Sequence, residues 1–417
     1  MPTSEKSRTD ASLLTDEELS ALFAPVFERI RRGAVQRETD RELPFEAVGW
    51  LKEEGFGAVR VPREFGGLGA SVRQLARLLS ELGAADSNLP QLLRGHFAFV
   101  ETRLVHPDAD VREKWLRRVA SGDLVGNASS ELTGASLADV STVVTEKDGR
   151  FFVTGTKYYS TGTIFADWVS GSARDANGGR LSYVVRTDAP GVERLDDWDG
   201  FGQRLTGSGT TIFDAAEVAA EDITRYTDGR INHVTAFFQL VLLATLAGTG
   251  KAVLRDAVEF VRPRTRTFIA ASNPLPREDP LVQSVVGEIA SASFTADALV
   301  ASAAEAVDAA YRSNDGGTLD DAAVTAAEVA VFSAQVAIVD IVLAAATRLF
   351  EVGGASAASS ARKLDRHWRN ARTVSSHNPV IYKKRTVGEF FLNDRSPNAA
   401  WKELREAAQA TAAPTAS

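Results

Sequence analysis

The chain has 417 residues, 44% of them hydrophobic and 24% charged, which is the make-up of an ordinary soluble protein with enough length for two or three regions around a large core. Its net charge of −8 argues against a nucleic-acid binder working through a broad basic face, because phosphate neutralisation dominates such binding. Cysteine is absent, so disulfides, thiolate nucleophiles and zinc–thiolate centres are excluded, and any redox chemistry falls to a cofactor.

The first dozen or so residues and the tail AAQATAAPTAS are small, polar and unpatterned, which predicts disordered ends. The opening has no apolar core between a basic segment and a cleavage site, and no uncharged apolar run is long enough for a bilayer, so a cytoplasmic protein without a membrane partner is expected. From Thr15, TDEE offers an N-cap and an acidic first turn, and Leu19, Leu22, Phe23, Val26 and Ile30 recur at helical spacing. Further helices are predicted at about 44–55, 70–83, 87–104 and 108–120, with the glycines and proline of GFGAVRVPREFGGLGAS forming a structured loop.

Between about 123 and 225 the period shifts toward two. VSTVVTE, RFFVTGTKYYS, WVSGSAR, LSYVVRT and TTIFD read as strands separated by DG, NGG and AP turns, a compact antiparallel β-region. After about 226 the chain turns helical again in alanine-rich stretches such as AAVTAAEVAVFSAQVAIVDIVLAAATRLF, apolar on more than one face and therefore suited to a bundle or a subunit interface. The order is α+β, divided at 13–122, 123–225 and 226–411, and no G-x-G-x-x-G follows a strand, which argues against a Rossmann cofactor site.

Five segments, GFGAVRVPREFGGLGAS, NASSELTGAS, GTKYYSTGTIFADWVSG, GFGQRLTGSGTTIFDAAEV and RLFEVGGAS, stand in the order and rough spacing of the acyl-CoA dehydrogenase superfamily, which the chain resembles from about residue 15 to 405. The resemblance implies an N-terminal helical domain, a middle antiparallel β-domain and a C-terminal four-helix bundle, with flavin bound between the last two. It also implies a homotetramer in which flavin contacts cross a subunit interface. By the same resemblance Ser130 and Ser136 line the flavin, Tyr159 and Thr161 stand at its N5 side, and Arg264, Arg266 and Gln283 match basic and polar contacts to its phosphate, for which arginine's planar fork is suited. Taken without the family, a serine-rich turn, alternating strand aromatics and a helix-end charge cluster have ordinary structural readings too.

The chain departs from the common dehydrogenases after RLFEVGG. Where those enzymes carry the glutamate that removes the α-proton, this sequence has Ser360 and Ala361, neither of which is a base. A base relocated to Asp256 or Glu259 would keep the alternative of an acyl-CoA dehydrogenase. In place of the glutamate stands DRHWRNARTVSSHNPVIYK, which resembles the corresponding stretch of the flavin-dependent monooxygenase branch, the group of dibenzothiophene and alkylsulfone monooxygenases and amino-sugar nitrososynthases. There His377 matches a catalytic candidate near the flavin, and His96 in QLLRGHFAFVE lies in the helix bordering the substrate cavity. His367 either serves the site or simply packs and pairs charge.

Histidine suits oxygen chemistry because its ordinary pKa lies near working pH, so it takes a proton and returns it. Asn127 and Ser160, polar and uncharged, would hydrogen-bond the flavin or activated oxygen without adding negative charge. The expected enzyme is a two-component monooxygenase. It takes reduced FMN rather than FAD from a separate NAD(P)H-dependent reductase and oxygenates a heteroatom, sulfur before amine nitrogen, through a flavin C4a-(hydro)peroxide. No metal site is expected.

Overall fold

Local chemistry starts the first helix. Glu18 N–H donates to Thr15 Oγ1 at 3.2 Å and Thr15 N–H donates to Glu18 Oε2 at 2.8 Å, a reciprocal capping box that opens α1 (Asp16–Asp40). Leu19, Phe23, Val26 and Ile30 are buried along it, whereas Leu22, the remaining member of the predicted stripe, faces outward. The computed structural model describes residues 14–132, 140–225, 232–314 and 320–399, and the predicted disordered ends fall outside it.

Helices α2 (Phe45–Glu53), α3 (Val72–Ala85), α4 (Asn88–Leu104) and α5 (Ala109–Ala120) complete the N-terminal region. The glycine-rich loop between α2 and α3 carries two short 3-10 turns, at Phe56–Ala58 and Arg63–Phe65.

The middle region is one sheet of eight strands: β1 (Val125–Ala128), β2 (Val143–Lys147), β3 (Arg150–Lys157), β4 (Trp168–Arg174), β5 (Arg180–Arg186), β6 (Val192–Arg194), β7 (Thr211–Val218) and β8 (Ile223–Arg225). Their order is β6-β7-β3-β2-β4-β5-β8, with β1 also paired to β4. The sheet is mixed, not antiparallel throughout as predicted: β1 runs parallel to β4 from Val125/Trp168 to Ala128/Gly171, and β2 meets β4 in parallel at Val143/Arg174. Alternation along a strand reports which face is buried, not the direction of its neighbour.

The C-terminal region contains α6 (Val234–Val261), α7 (Pro280–Arg312) and α8 (Asp321–Arg348), which pack on one another, then α9 (Asp365–Ser376) against α6 and α8, and α10 (Val380–Asn393) against α8. One hydrophobic core runs through both helical regions. Its tightest point is the crossing of α3 and α6, where a Cβ on Gly248 would lie 2.4 Å from Ser80 O, so only glycine lets the helices come this close.

By length and composition α6, α7 and α8 are apolar enough to cross a membrane, contrary to the expectation from uninterrupted runs, because isolated charges such as Lys251 and Asp297 break a run without removing its apolar excess. In α6 that surface is spent inside the molecule, with 83% of its most apolar stretch buried, against 50% in α8 and 22% in α7.

Charge is also buried in the helical core. Glu101 accepts from Arg60 Nε at 2.6 Å and Nη2 at 3.1 Å, and His233 Nε2 lies 2.8 Å from its other side, with Tyr311 facing both partners. Burial disfavours the carboxylate, but Arg60 and His233 hold it at about 2. Replacing Glu101 with Gln leaves the Arg60 cation buried without its counter-charge. We expect a loss of about 3–5 kcal/mol in urea denaturation, and a loss below 1 kcal/mol would show that the pair is not needed.

Candidate active site

Two glycines bring α4 against the sheet side, and a third packs β1 on the turn that follows Gly162. A Cβ on Gly95 would lie 2.7 Å from Asn127 Cβ, one on Gly126 2.5 Å from Thr163 Oγ1, and one on Gly162 2.1 Å from Leu92 O. Gly162 also adopts φ +80°, a left-handed conformation that L side chains rarely take. Arg94 and His96 on α4 flank these contacts in sequence, as Asn127, Ser160 and Thr161 do on the sheet side. The turn His377-Asn378-Pro379 between α9 and α10 meets α4 through Arg94, and the start of α6 backs that turn.

His377 Nε2 lies 2.7 Å from Arg94 Nη2, so the neutral imidazole accepts a hydrogen bond from the guanidinium. The Arg94 charge, and burial after it, push the His377 ring down to about 3, although the residue as a whole is exposed. Asn378 Nδ2 donates to Gln239 Oε1 of α6 at 2.7 Å, and Gln335 Nε2 of α8 donates to Asn378 O at 2.7 Å. Two glutamines on different helices thus fix the turn that presents His377.

On the sheet side, the Ser160 hydroxyl is buried and has no partner among the described residues. Thr161 Oγ1 lies 2.8 Å from Ser208 Oγ, which lies 2.7 Å from Thr206 Oγ1, which donates to Gln203 O at 2.8 Å. Each hydroxyl has one proton and a carbonyl only accepts, so the chain runs from Thr161 toward Gln203 and leaves the Thr161 oxygen as an acceptor toward the site. Tyr159 has φ 58° and is 44% exposed, its ring 4.8 Å from Tyr158 and 6.1 Å from Trp198. An aromatic residue in that backbone region is uncommon, and it turns the ring out of the strand.

Asn127 Oδ1 accepts from Ser129 Oγ at 2.9 Å. Ser130 O accepts from Tyr158 N–H at 2.9 Å, which ties the serine-rich segment to KYYSTG. Next to both, Lys157 Nζ donates to Glu131 Oε1 at 2.6 Å in a buried pair. Burial works against the Glu131 charge, but Lys157 and the hydrogen bonds from Ser141 and Thr142 hold the carboxyl at about 2. Ser136 lies outside the described residues.

His96 does not have the geometry of a proton carrier, which corrects the sequence expectation. Its Nε2 bonds Gly57 O at 2.9 Å and its Nδ1 accepts from Val125 N–H at 3.1 Å, which sets the tautomer and occupies both ring nitrogens. Burial pushes it down to about 4, so it stays neutral. It pins the glycine-rich loop and the start of β1 to α4, two residues before Asn127.

His367 lies ten residues before His377, about 15 Å away along α9. There it contacts Asp256 Oδ2 at 2.7 Å, which also accepts from Arg366 Nη2 at 2.7 Å. Asp256 is held well below the carboxylate range: burial opposes this, and the hydrogen bond to His367 and the nearby arginines overcome it. A carboxylate so engaged is no free base, and Glu259 is largely exposed, 3.8 Å from Arg31. Ser360 and Ala361 sit in an exposed 3-10 turn.

Arg264, Arg266 and Gln283 do not join this site within one protomer. Gln239 and Val261 are 22 residues apart on an unbroken α6, a rise of about 33 Å, and Arg264 lies beyond Val261. There Arg264 donates to Ser356 Oγ at 2.8 Å and stacks on Phe260, Gln283 Nε2 donates to Arg277 O at 3.0 Å, and Arg266 is exposed.

Sequence reasoning passed over Arg94, Gln239, Gln335 and the Ser208–Thr206 chain. For Arg94 a signal was present: it is a lone cation beside a glycine and a histidine in the otherwise apolar run NLPQLLRGHFAFV. The glutamines gave none, since each is a single polar residue in a long apolar helix.

Comparison with known proteins places these residues in a family context. Residues 21–123 match the model of the acyl-CoA dehydrogenase N-terminal domain, and residues 240–381 that of the acyl-CoA dehydrogenase C-terminal domain. A dibenzothiophene monooxygenase of Mycolicibacterium goodii is 29% identical over 365 residues, covering 83% of this chain and 87% of its own length. A probable FMNH2-dependent monooxygenase, SfnC of Pseudomonas putida, is 28% identical over 371 residues, covering 87% and 92%. The crystal structure of FMN-bound TdsC from Paenibacillus sp. A11-2 superposes with a TM-score of 0.84 at 28% identity, over 91% of this chain and 98% of that one.

Two outcomes follow from this geometry. His96→Gln should lower stability by about 1–3 kcal/mol through an unsatisfied buried backbone group, yet leave the pH midpoints of turnover where they are; a shifted midpoint would restore His96 as a proton carrier. Glu131 titrates near 4.5 when unfolded and about 2 when folded, so its stabilisation is complete above 4.5 and is lost as pH falls toward 2. The melting-temperature gap between wild type and Glu131→Gln should therefore be widest above pH 5 and narrow steadily in acid.

Proposed function

This chain belongs to the acyl-CoA dehydrogenase family and is a flavin-dependent monooxygenase of that fold, and from that premise we propose that it oxygenates sulfur in a small organic substrate. The observation that carries this reading is the unpartnered buried hydroxyl of Ser160, with His377 held neutral beside Arg94 and no base at Ser360 or Ala361. Similarity to a dibenzothiophene monooxygenase supports sulfur over amine nitrogen.

FMN is the cofactor, and the residues present fit it. A buried hydroxyl without a partner requires a bound group to satisfy it, since leaving it bare costs about 1–3 kcal/mol. Ser160, Thr161, Asn127 and Ser130 would hold the flavin ring, and the exposed Tyr159 ring would cover it. Thr161 arrives as an acceptor, which suits a reduced flavin carrying a ring N–H. Reduced FMN supplies the two electrons for oxygen activation, so that substrate, O2 and FMNH2 become oxygenated substrate, water and FMN.

The protein's part is to hold, enclose and move protons. His377 begins neutral, because the Arg94 charge disfavours its protonated form, and its Nε2 accepts from Arg94, so it takes a proton there only once that hydrogen bond gives way. Asn378, Gln239 and Gln335 keep that ring in place. At Ser360 and Ala361, where the dehydrogenases carry their glutamate, this chain has no carboxylate.

Two partners complete the reading. An NAD(P)H-dependent reductase delivers FMNH2, in keeping with the FMNH2-dependent relative. A homotetramer brings Arg264, Arg266 and Gln283 of one protomer to the flavin phosphate of another, and it covers the exposed Leu281, Phe294, Ile381, Tyr382, Phe391 and Leu392 of α7 and α10.

The test supplies enzymatically reduced FMN and 18O2 with an alkyl or aryl sulfide and, separately, with an alkanesulfinate, and reads label in the product beside the yield of hydrogen peroxide. Wild type should place one labelled oxygen on sulfur, and His377→Asn should lose about 10²–10⁴-fold of that rate with oxygen diverted to peroxide. Unlabelled product, or bleaching of bound flavin by an acyl-CoA instead, would return the chain to the dehydrogenases.

A further inference from the structure

Arg94 is 8% exposed, and among the described residues no carboxylate pairs with it. Three other buried arginines, Arg37, Arg60 and Arg366, bond Asp86, Glu101 and Asp256 at 2.9, 2.6 and 2.7 Å. Arg94 has only the His377 ring at 2.7 Å and the Phe238 ring at 5.0 Å. Burial alone draws it down to about 10, with no acidic neighbour acting against that, so it remains a cation without a counter-charge.

A buried cation costs stability unless something neutralises it. The single bond to His377 uses one of the five N–H groups of the guanidinium, and Nε and Nη1 reach no protein acceptor among the described residues. That planar fork matches a pair of anionic oxygens. It stands on α4 beside His377, one residue from Gly95, whose added Cβ would meet Asn127.

We propose that Arg94 anchors an anionic oxygen group on the substrate, a sulfinate, sulfonate or carboxylate, and so makes this a monooxygenase of small organic anions. The inference rests on the oxygenase reading for its chemistry but not for its binding step. The anion sits on the fork beside His377 and offsets the charge that keeps the ring neutral. Substrate arrival and the readiness of His377 to hold a proton are thereby linked in one contact. A neutral thioether or thiophene has nothing to give the fork and leaves it uncompensated.

The experiment is calorimetric binding without turnover, on the full chain with and without FMN. Methanesulfinate, methanesulfonate, acetate and benzoate are each compared with an uncharged counterpart of similar size: dimethyl sulfoxide, dimethyl sulfone, acetamide and benzamide. Wild type should prefer at least one anion by about tenfold or more, as a charge-assisted bidentate contact gives, and Arg94→Gln should abolish the preference. Arg94→Lys, with charge but no fork, should keep part of it. FMN affinity should change less than about twofold in both variants, and the melting temperature of Arg94→Gln should be equal or higher, because an uncompensated buried charge has been removed.

No preference for any anion in wild type overturns the proposal, as does a preference that survives Arg94→Gln. Loss of FMN affinity in step with anion affinity would make the flavin itself the anion that Arg94 holds. A sharp drop in melting temperature would make the residue structural. Should the labelled-oxygen assay fail while the anion preference stands, the binding inference survives and the oxygenase reading does not.

Discussion

The site depends on the direct contact between α4 and the edge of the sheet. Gly95, Gly126 and Gly162 leave room for Asn127, Thr163 and the Leu92 carbonyl, each of which would lie within 2.7 Å of an added Cβ. Contacts that short have no room for a methyl group, and a backbone neighbour cannot rotate away. Arg94, Asn127, Ser160 and Thr161 each sit one or two positions from one of these glycines. Packing and chemistry are therefore one constraint, and His96 tightens it by joining Gly57 O to Val125 N–H.

Charge is handled in two ways in the same interior. Glu101, Asp256 and Glu131 are each surrounded by donors, and their hydrogen bonds overcome a desolvation that would otherwise neutralise them. These clusters fasten helix to helix or strand to loop. Arg94 and Ser160 are the opposite case: Arg94 has a neutral ring beside it but no counter-charge, and the Ser160 hydroxyl has no partner among the described residues. The paired groups build the scaffold, whereas Arg94 and Ser160 keep capacity that a ligand can fill.

Length along α6 separates two parts of the expected flavin contacts. The turn carrying His377 is braced near the start of that helix by Gln239, and Arg264 follows its end. A straight helix of this length keeps them about 30 Å apart in any one protomer. Such a division suits an assembly in which neighbouring chains complete one another's sites, and the sparsely buried α7 offers the surface for it.

The sequence by itself determined the helical and strand-rich regions, the loss of the dehydrogenase base at Ser360 and Ala361, and the prominence of His377, because periodicity, residue type and motif order are local properties. It misjudged the parallel pairing of β1 with β4, since alternation carries no strand direction. Only the tertiary structure decided that His96 is engaged by backbone 29 residues away, that Arg94 meets His377 across 283 residues with no acid beside it, and that the Thr161 hydroxyl is turned into an acceptor by a chain ending at Gln203. Each of these depends on what stands next to a side chain after folding. The chemistry of a titratable or hydrogen-bonding group is set by that neighbour and by the loss of water around it, neither of which a position in the sequence records.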